Sequence, residues 1–259
     1  MHRSVLKYFR FLTLSISMVL ATIAQINANS NKITALVIGK GNTDYPPYHW
    51  TDEKGQLQGI CPDIIHQACE SIGITKITYI CYPWSRMLAN AKFGKVDAVM
   101  PLFRNEEREG FLDFPDNPLI WESTAFLTLP DSAINFSGEM KTLLPFTIGV
   151  VKNYFYGKQF EMADFHKDYS INDEMLMTKL KAKRFPVAIG SPLVMQYFAS
   201  KKGFTLRILT PYISEDGLYM GFSKSKGYGK IANNFSKAIQ QLKDQGKYQQ
   251  IINKYKYAP

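Results

Sequence analysis

The sequence predicts an α/β protein with two sheets of mainly parallel strands. Short runs rich in β-branched residues alternate with segments of helical periodicity over most of the chain, a pattern typical of parallel β-α units. The alternation forms two series, joined by two extended segments with few helix formers at 121–129 and 217–222. Without a predicted leader of 28 residues, the 259-residue chain is still long enough for two modest cores.

The first series contains five elements: a strand at 35–38, a helix at 63–72, a strand at 76–79, a helix after Trp84 and a strand at 96–100. One face of the first helix is apolar, which predicts that this face is buried. It carries Ile64, Ile65, Ala68, Cys69 and Ile72. Gly94 is placed to end the second helix in the left-handed conformation.

A polar loop is expected after the strand at 96–100, which is too short and too rich in β-branched residues to be a helix. We expect residues 101–108 to form this loop at the carboxyl end of the strand, the edge where α/β sheets bind ligands. Arg108 would then lie at the ligand edge of the sheet.

The second series starts with a strand at 146–151 and a helix at 173–183 that Asn172 caps. It continues with strands at 187–189 and 205–208. The two extended segments would carry the chain from one lobe to the other and back. The last two helices, at 228–243 and 248–255, are then expected to return to the first lobe.

Residues 1–28 are predicted to be a signal peptide. Three lysine or arginine residues precede an apolar run at 11–24 that is too short to span a bilayer comfortably. Cleavage is expected after Ala28, with Ala24 as the alternative. Because no cysteine lies near either site, we expect a protein that is free in the periplasm and carries no lipid anchor.

Removal of the leader lowers the formal net charge from +9 to +6, since three basic residues and no acidic one leave with it. The lysines are scattered along the chain without a basic run, which is typical of a solvated surface. Together with export, this pattern argues against a nucleic-acid partner. A mild attraction of anionic solutes is the one functional effect that we expect of the charge.

The three cysteines allow at most one disulfide bond in an oxidising compartment. Cys69 is predicted to be a core thiol, while a bond from Cys69 to Cys81 stays open. Cys61 and Cys69 are too far apart along the helix to be bonded. Cys61, His66 and Cys69 fit no closed zinc pattern, so neither a metal nor a cofactor is predicted.

Short motifs occur in a specific order along the chain: DYPPY at 44–48, GKVDA at 94–98, ER at 107–108 before DF at 113–114, IGV at 148–150 and LKDQGKY at 242–248. With these motifs, nearly the whole mature chain resembles the bacterial periplasmic solute-binding proteins of family 3, which include the amino-acid-binding components of ABC transporters. The resemblance implies a two-lobed type II periplasmic binding protein fold, or Venus-flytrap fold, with a two-stranded hinge. It divides the mature chain into lobe 1, residues 29–123 and 218–259, and lobe 2, residues 124–217.

The resemblance also assigns ligand contacts. Arg108 matches the arginine that grips the ligand carboxylate in amino-acid-binding relatives, a role that suits the planar fork of a guanidinium. Tyr45 and Trp84 match the aromatic pair that sandwiches the ligand side chain, although packing at a helix start would also account for Trp84. For Arg86, a solvated helix face is the alternative to a ligand contact. The predicted set also includes Asp44, Pro101 and Tyr154.

Three positions depart from the amino-acid binders. Phe103 stands where they carry Ser or Thr, and Gly190 stands where they carry the acid that holds the ligand ammonium. An aromatic run at 153–157 replaces the glycine-threonine turn that presents backbone amides to the carboxylate. A buried ammonium without a carboxylate is costly, so another acid would have to take over. The candidates are Asp44, Glu122 and Glu215.

The expected function is capture of a small carboxylate-bearing solute in the periplasm, by a monomer that serves an ABC-type membrane permease. The expected mechanism is binding with closure, without catalysis. Two alternatives would use the same scaffold: a secreted enzyme resembling cyclohexadienyl dehydratases, and a sensing module that signals to a membrane receptor. No motif places an acid and base pair, or a histidine next to a nucleophile, which disfavours the enzyme.

Overall fold

The structure is a computed structural model that describes residues 33–255, so the predicted signal peptide lies outside the described residues. The strands are β1 (Ala35–Gly41), β2 (Trp50–Thr51), β3 (Leu57–Gln58), β4 (Lys76–Tyr82), β5 (Ala98–Phe103), β6 (Leu112–Asp113), β7 (Ile120–Thr128), β8 (Ile148–Val151), β9 (Lys167–Ser170), β10 (Val187–Gly190), β11 (Arg207–Ile208) and β12 (Ser214–Ser223). The helices are α1 (Ile60–Ser71), α2 (Trp84–Lys92), α3 (Glu106–Glu109), α4 (Lys158–Met162), α5 (Asp173–Lys181), α6 (Pro192–Lys201), α7 (Gly229–Asp244) and α8 (Lys247–Lys254).

The first lobe is built on a sheet with the strand order β4-β1-β5-β12. β1 pairs in parallel with β4 and β5, whereas β12 is antiparallel to β5. Four residues of the predicted apolar face of α1, Ile64, Ile65, Ala68 and Cys69, are inaccessible to solvent, whereas Ile72 lies just after the helix and is half-buried. α7 and α8 pack against α1, and Tyr255 just after α8 donates a hydrogen bond to Asp63 on α1 at 2.8 Å. The last helices therefore return to the first lobe, as expected.

The second lobe is built on the parallel strands β10, β8 and β9. Its core is aromatic, because Phe126 on β7 contacts the rings of Phe136, Phe160 and Phe165 at centroid distances of 5.0 to 6.1 Å. Asn172 caps α5 as predicted, accepting the Met175 N–H at 2.8 Å.

Two long strands join the lobes. Residues 120–124 of β7 pair with residues 214–218 of β12, and each strand then continues into a different sheet. The later part of β7 pairs with β10 and β11 of the second lobe, whereas the later part of β12 pairs with β5 of the first. This arrangement confirms the two-lobed α/β fold with two crossing strands.

The predicted loop at 101–108 was wrong at both ends. β5 runs to Phe103 and α3 begins at Glu106, so Pro101 lies in the strand and Arg108 lies in a short helix. The pairing explains how the strand tolerates a proline: Leu102 faces Tyr219 and Val99 faces Gly221, which leaves Met100 and Pro101 opposite the single residue Met220. Such a bulge interrupts the hydrogen-bond ladder, so the missing N–H of proline costs little there.

The remaining local predictions concern a glycine and the cysteines. Gly94 has φ +65°, the left-handed conformation predicted for the end of α2. The pairing of Cys69 with Cys81 is not formed, since Cys69 is fully buried and Cys81 is exposed. Burial raises the pKa of the Cys69 thiol to about 12, consistent with an inert core residue. Within 33–255, no helix is both long enough and apolar enough to cross a membrane.

Candidate functional site

A cleft lies between the two lobes. The loop after β1 and the ends of β5 and α2 form one wall, and the segments after β8 and β9 form the other. Five residues of the predicted set line it: Tyr45, Trp84, Pro101, Arg108 and Tyr154.

Arg108 is a buried cation in the wall of this cleft, with only 4% of its surface exposed. Its Nη1 donates to the carbonyl of Phe103 at 2.6 Å, and its Nη2 donates to the carbonyl of Asn153 at 3.1 Å. Burial lowers its pKa to about 10, so the guanidinium keeps its charge at neutral pH. Among the described residues, no acidic side chain forms an ion pair with it.

Aromatic rings flank Arg108. Its guanidinium carbon lies 5.8 Å from the ring centroid of Trp84, and Tyr154 meets Trp84 edge to face at the same centroid distance. Elsewhere in the lining of the cleft, the ring of Tyr45 stacks on the ring of His49 at a centroid distance of 6.0 Å. Flat rings of this kind bury apolar surface and also attract positive charge to their faces.

Asn153 joins the second lobe to the first at the cleft. Its carbonyl accepts hydrogen bonds from both Trp84 Nε1 and Arg108 Nη2 at 3.1 Å, and its side chain donates to Ser85 Oγ at 2.9 Å. The residue has φ +64°, a conformation that asparagine tolerates better than most side chains. In the sequence, Asn153 is only the first residue of the aromatic run at 153–157, and no sequence signal marks its positive φ.

Two buried acids lie behind the tyrosines of the cleft. Glu122 on β7 is 2% exposed and accepts the Tyr45 hydroxyl at 3.0 Å, and Asp173 at the start of α5 is 1% exposed and accepts the Tyr154 hydroxyl at 2.8 Å. Burial raises the pKa of Glu122 to about 8 and that of Asp173 to about 6. Sequence reasoning named Glu122 as a candidate acid but missed Asp173, because an acid in the first turn of a helix reads as a capping residue.

His49 also lines the cleft and was not predicted. It is 3% exposed, and its Nδ1 has no hydrogen-bond partner in the part of the chain that the structure describes. Burial, with a smaller effect of the nearby Lys40 charge, lowers its pKa to about 3. The imidazole is therefore neutral at physiological pH and adds no charge to the cleft.

Comparison with known proteins identifies the family. Residues 36–258 match the model of the bacterial extracellular solute-binding proteins, family 3. The chain belongs to this family. An arginine-binding periplasmic protein of Mannheimia haemolytica is 24% identical over 220 residues, which cover 82% of this chain and 87% of the relative.

Solved structures show the same fold. An ancestral arginine-binding protein bound to arginine has a TM-score of 0.74 at 20% identity and covers 87% of this chain and 99% of its own. A histidine kinase sensor domain with similarity to periplasmic binding proteins has a TM-score of 0.73 at 19% identity, covering 87% of this chain and 97% of its own. Membership of family 3 makes solute binding the role of this chain, as its motifs predict.

Two residues of the predicted set lie apart from the cleft of this family 3 protein. Asp44 accepts the backbone N–H of Thr51 at 3.0 Å, and Arg86 is exposed on α2. At Gly190, a departure from the amino-acid binders, an added Cβ would lie 2.3 Å from Cε of Met195. The flexible end of the Met195 side chain therefore lies where a side chain at position 190 would begin.

Proposed function

We propose that this protein captures a small carboxylate-bearing solute, an amino acid or a related compound, and presents it to an ABC-type membrane transporter. The observation that carries the proposal is the buried guanidinium of Arg108, which faces the cleft and has no acidic partner among residues 33–255. A buried charge is costly unless it is paired, and a ligand carboxylate would supply the pair. Guanidinium has five N–H donors, so hydrogen bonds to two carbonyls leave donors for a carboxylate.

The ligand contacts in this proposal are Tyr45, Trp84, Pro101, Arg108 and Tyr154. The aromatic residues would hold the apolar part of the solute between flat surfaces at low entropic cost. Asp44 and Arg86 do not line the cleft. Their role as ligand contacts therefore stays a prediction from the sequence. Arginine is the first solute to test, because the Mannheimia relative and the ancestral protein are both named for it.

The proposed mechanism is closure of lobe 1, residues 29–123 and 218–259, on lobe 2, residues 124–217. Asn153 is the contact that supports it, because it touches Trp84, Ser85 and Arg108 across the cleft. A solute that touches both lobes adds to these contacts and shifts the population toward the closed state. A membrane permease can then distinguish closed from open protein.

Export completes the proposal. We infer that the signal peptide at 1–28 is cleaved and that the mature protein acts as a monomer in the periplasm, without a catalytic step. A membrane receptor remains the alternative partner, favoured by the shared fold of a histidine kinase sensor domain. Adjacent permease and ATPase genes would support transport, whereas an adjacent receptor or kinase gene would support sensing.

A thermal-shift screen of residues 29–259 tests the proposal. The panel contains amino acids, dicarboxylates, polyamines and peptidoglycan fragments. A solute at a hundred times its dissociation constant stabilises the fold by about 2.7 kcal/mol, which raises the melting temperature by several degrees. Stabilisation by a carboxylate-bearing solute is the expected result. Stabilisation by polyamines alone would contradict the role of Arg108.

A further inference from the structure

Glu122 and Asp173 lie directly behind the wall of the cleft. Tyr45 and Tyr154 both line the cleft, and each donates its hydroxyl proton to one oxygen of an acid behind it. The two acids come from different parts of the fold, since Glu122 lies on the crossing strand β7 and Asp173 on α5 of the second lobe. The cleft therefore brings together two carboxyl groups that are far apart in sequence.

Both acids have an oxygen left over. Within residues 33–255, Oε1 of Glu122 and Oδ1 of Asp173 are buried without a hydrogen-bond partner in the geometry of the structure. The hydroxyl of Ser191, which is 4% exposed, lies beside Glu122 and can donate a hydrogen bond to it. A buried acceptor that stays unpaired costs free energy, so these two carboxyl oxygens behind one cleft can accept a donor from a bound solute.

This donor is expected to be positively charged. Within the described residues, neither acid forms an ion pair with a lysine, arginine or histidine. The charge of Asp173 raises the pKa of Glu122, which shows that the two carboxyl groups repel each other when ionised. A cation between them would pair with both and remove this repulsion.

The side chain of Tyr154 lies between Arg108 and Asp173. Arg108 holds the carbonyl of Asn153, and the next residue, Tyr154, extends its ring from that point to Asp173. A solute that reaches from Arg108 to the acids therefore carries its positive charge several bonds away from its carboxylate. The cationic group of a side chain meets this requirement, whereas an α-ammonium next to the carboxylate does not.

Resting on the proposed function, we propose that Glu122 and Asp173 bind the side-chain cation of the solute, so the solute class is amino acids with a guanidinium or amine at the end of the side chain. Arg108 binds the carboxylate, the rings of Trp84 and Tyr154 flank the aliphatic part, and the two acids receive the cation. This site differs in position from Gly190, which carries no acidic side chain.

Binding of a cationic solute should be coupled to release of a proton from Glu122. The groups beside it are the hydroxyls of Tyr45, Tyr48 and Ser191, the thiol of Cys61 and the carboxyl of Asp173, and Asp216 is its cross-strand partner on β12. None of these is a cation. With its pKa raised to about 8 by burial, Glu122 is mostly protonated at pH 7, so arrival of a cation releases the proton. Affinity for a cationic solute should therefore rise between pH 6 and pH 9.

Calorimetry with arginine and citrulline tests the proposal. The two solutes have nearly the same shape, but the guanidinium of arginine is an uncharged urea in citrulline. We expect arginine to bind at least about tenfold more tightly at pH 8, and to release a proton at pH 7. Release is measured by comparing binding enthalpies in buffers of different ionisation enthalpy. Citrulline should bind without proton release.

Three variants assign the effect to residues. Glu122→Gln keeps the shape and an acceptor for the Tyr45 hydroxyl, so it should fold, and it should abolish proton release and reduce the preference for arginine at least about fivefold. Asp173→Asn should reduce the preference without removing the proton release. Glu174→Gln changes an exposed acid on α5, next to Asp173, and is the matched control that should leave both quantities unchanged.

The outcomes separate this inference from the proposed function. Equal binding of arginine and citrulline by the wild-type protein would overturn the inference and leave carboxylate capture standing. An arginine preference that survives in both Glu122→Gln and Asp173→Asn would also overturn it. Absence of binding by every carboxylate-bearing solute would overturn both. The comparison of arginine with citrulline needs only the wild-type protein. The inference can therefore be tested even when a variant fails to fold.

Discussion

Replacing Arg108 with methionine should abolish most of the binding without unfolding the protein. The cost to binding is set by loss of a charge pair that is shielded from solvent, since only 4% of Arg108 is exposed. Such a loss costs about 2 to 5 kcal/mol, which corresponds to an increase in Kd of about 30- to 4,000-fold. The carbonyl of Asn153 keeps its other donor, Trp84 Nε1, so the contact between the lobes is only partly lost.

The effect on stability should be small because two contributions oppose each other. Burial holds the pKa of Arg108 at about 10 instead of 12.5, an unfavourable contribution of about 3 kcal/mol that methionine removes. The two hydrogen bonds to carbonyls that methionine cannot make stabilise the fold by about 3 kcal/mol together. The melting temperature of the ligand-free protein should therefore move by less than about 5 °C.

Calorimetry for affinity and circular dichroism for melting measure the two effects separately. Arg104→Met is the matched control, because Arg104 lies just before α3, is exposed and pairs with Glu109. It should leave the affinity unchanged. An Arg108→Met protein that binds as tightly as wild type would refute the carboxylate role. A large fall in melting temperature in that variant would show that Arg108 is a structural residue.

Three other measurements test the aromatic wall, the export and the buried acid. Trp84→Ala should weaken binding by about 1 to 3 kcal/mol in calorimetry if the ring faces the solute, whereas unchanged affinity with a lower melting temperature would place Trp84 in the core. Mass spectrometry of the periplasmic fraction should find an amino terminus near Asn29, and an intact Met1 in a soluble cytoplasmic product would contradict export. The raised pKa of Glu122 stabilises the fold at low pH, and this contribution is lost as pH rises from about 4.5 to about 8. Thermal melts should therefore show that Glu122→Gln gains stability relative to wild type at pH 9 but not at pH 5, and parallel pH profiles for the two proteins would contradict the shift.

The sequence predicted the order of elements well because each one depends on local patterns. The apolar face of α1, the Asn172 cap and the left-handed Gly94 are set by residues close in the chain, and all three appear in the structure. The end of β5 depends on a distant partner instead. Pro101 reads as a loop residue until Met220 of β12 is known to leave the ladder open beside it.

The cleft was less predictable, because its chemistry depends on contacts between lobes. The motif around Arg108 indicates an arginine at a ligand edge, but only the fold shows that it is buried without an acid. Neither Asp173 nor His49 is marked as a cleft residue by the sequence. Asp173 resembles an acid that caps a helix, and His49 has no potential partner ligand near it in the sequence. The positive φ of Asn153 and the filled space beside Gly190 are likewise properties of the folded chain.

The most direct test of carboxylate capture compares arginine with agmatine, which lacks only the carboxylate, in calorimetry with residues 29–259. Arginine should bind with micromolar or tighter affinity, corresponding to about −8 kcal/mol, and agmatine should bind at least about 30-fold more weakly. The difference should disappear in Arg108→Met. Equal affinity of the wild-type protein for arginine and agmatine would show that the buried guanidinium does not hold the solute, and the account of the cleft would be wrong.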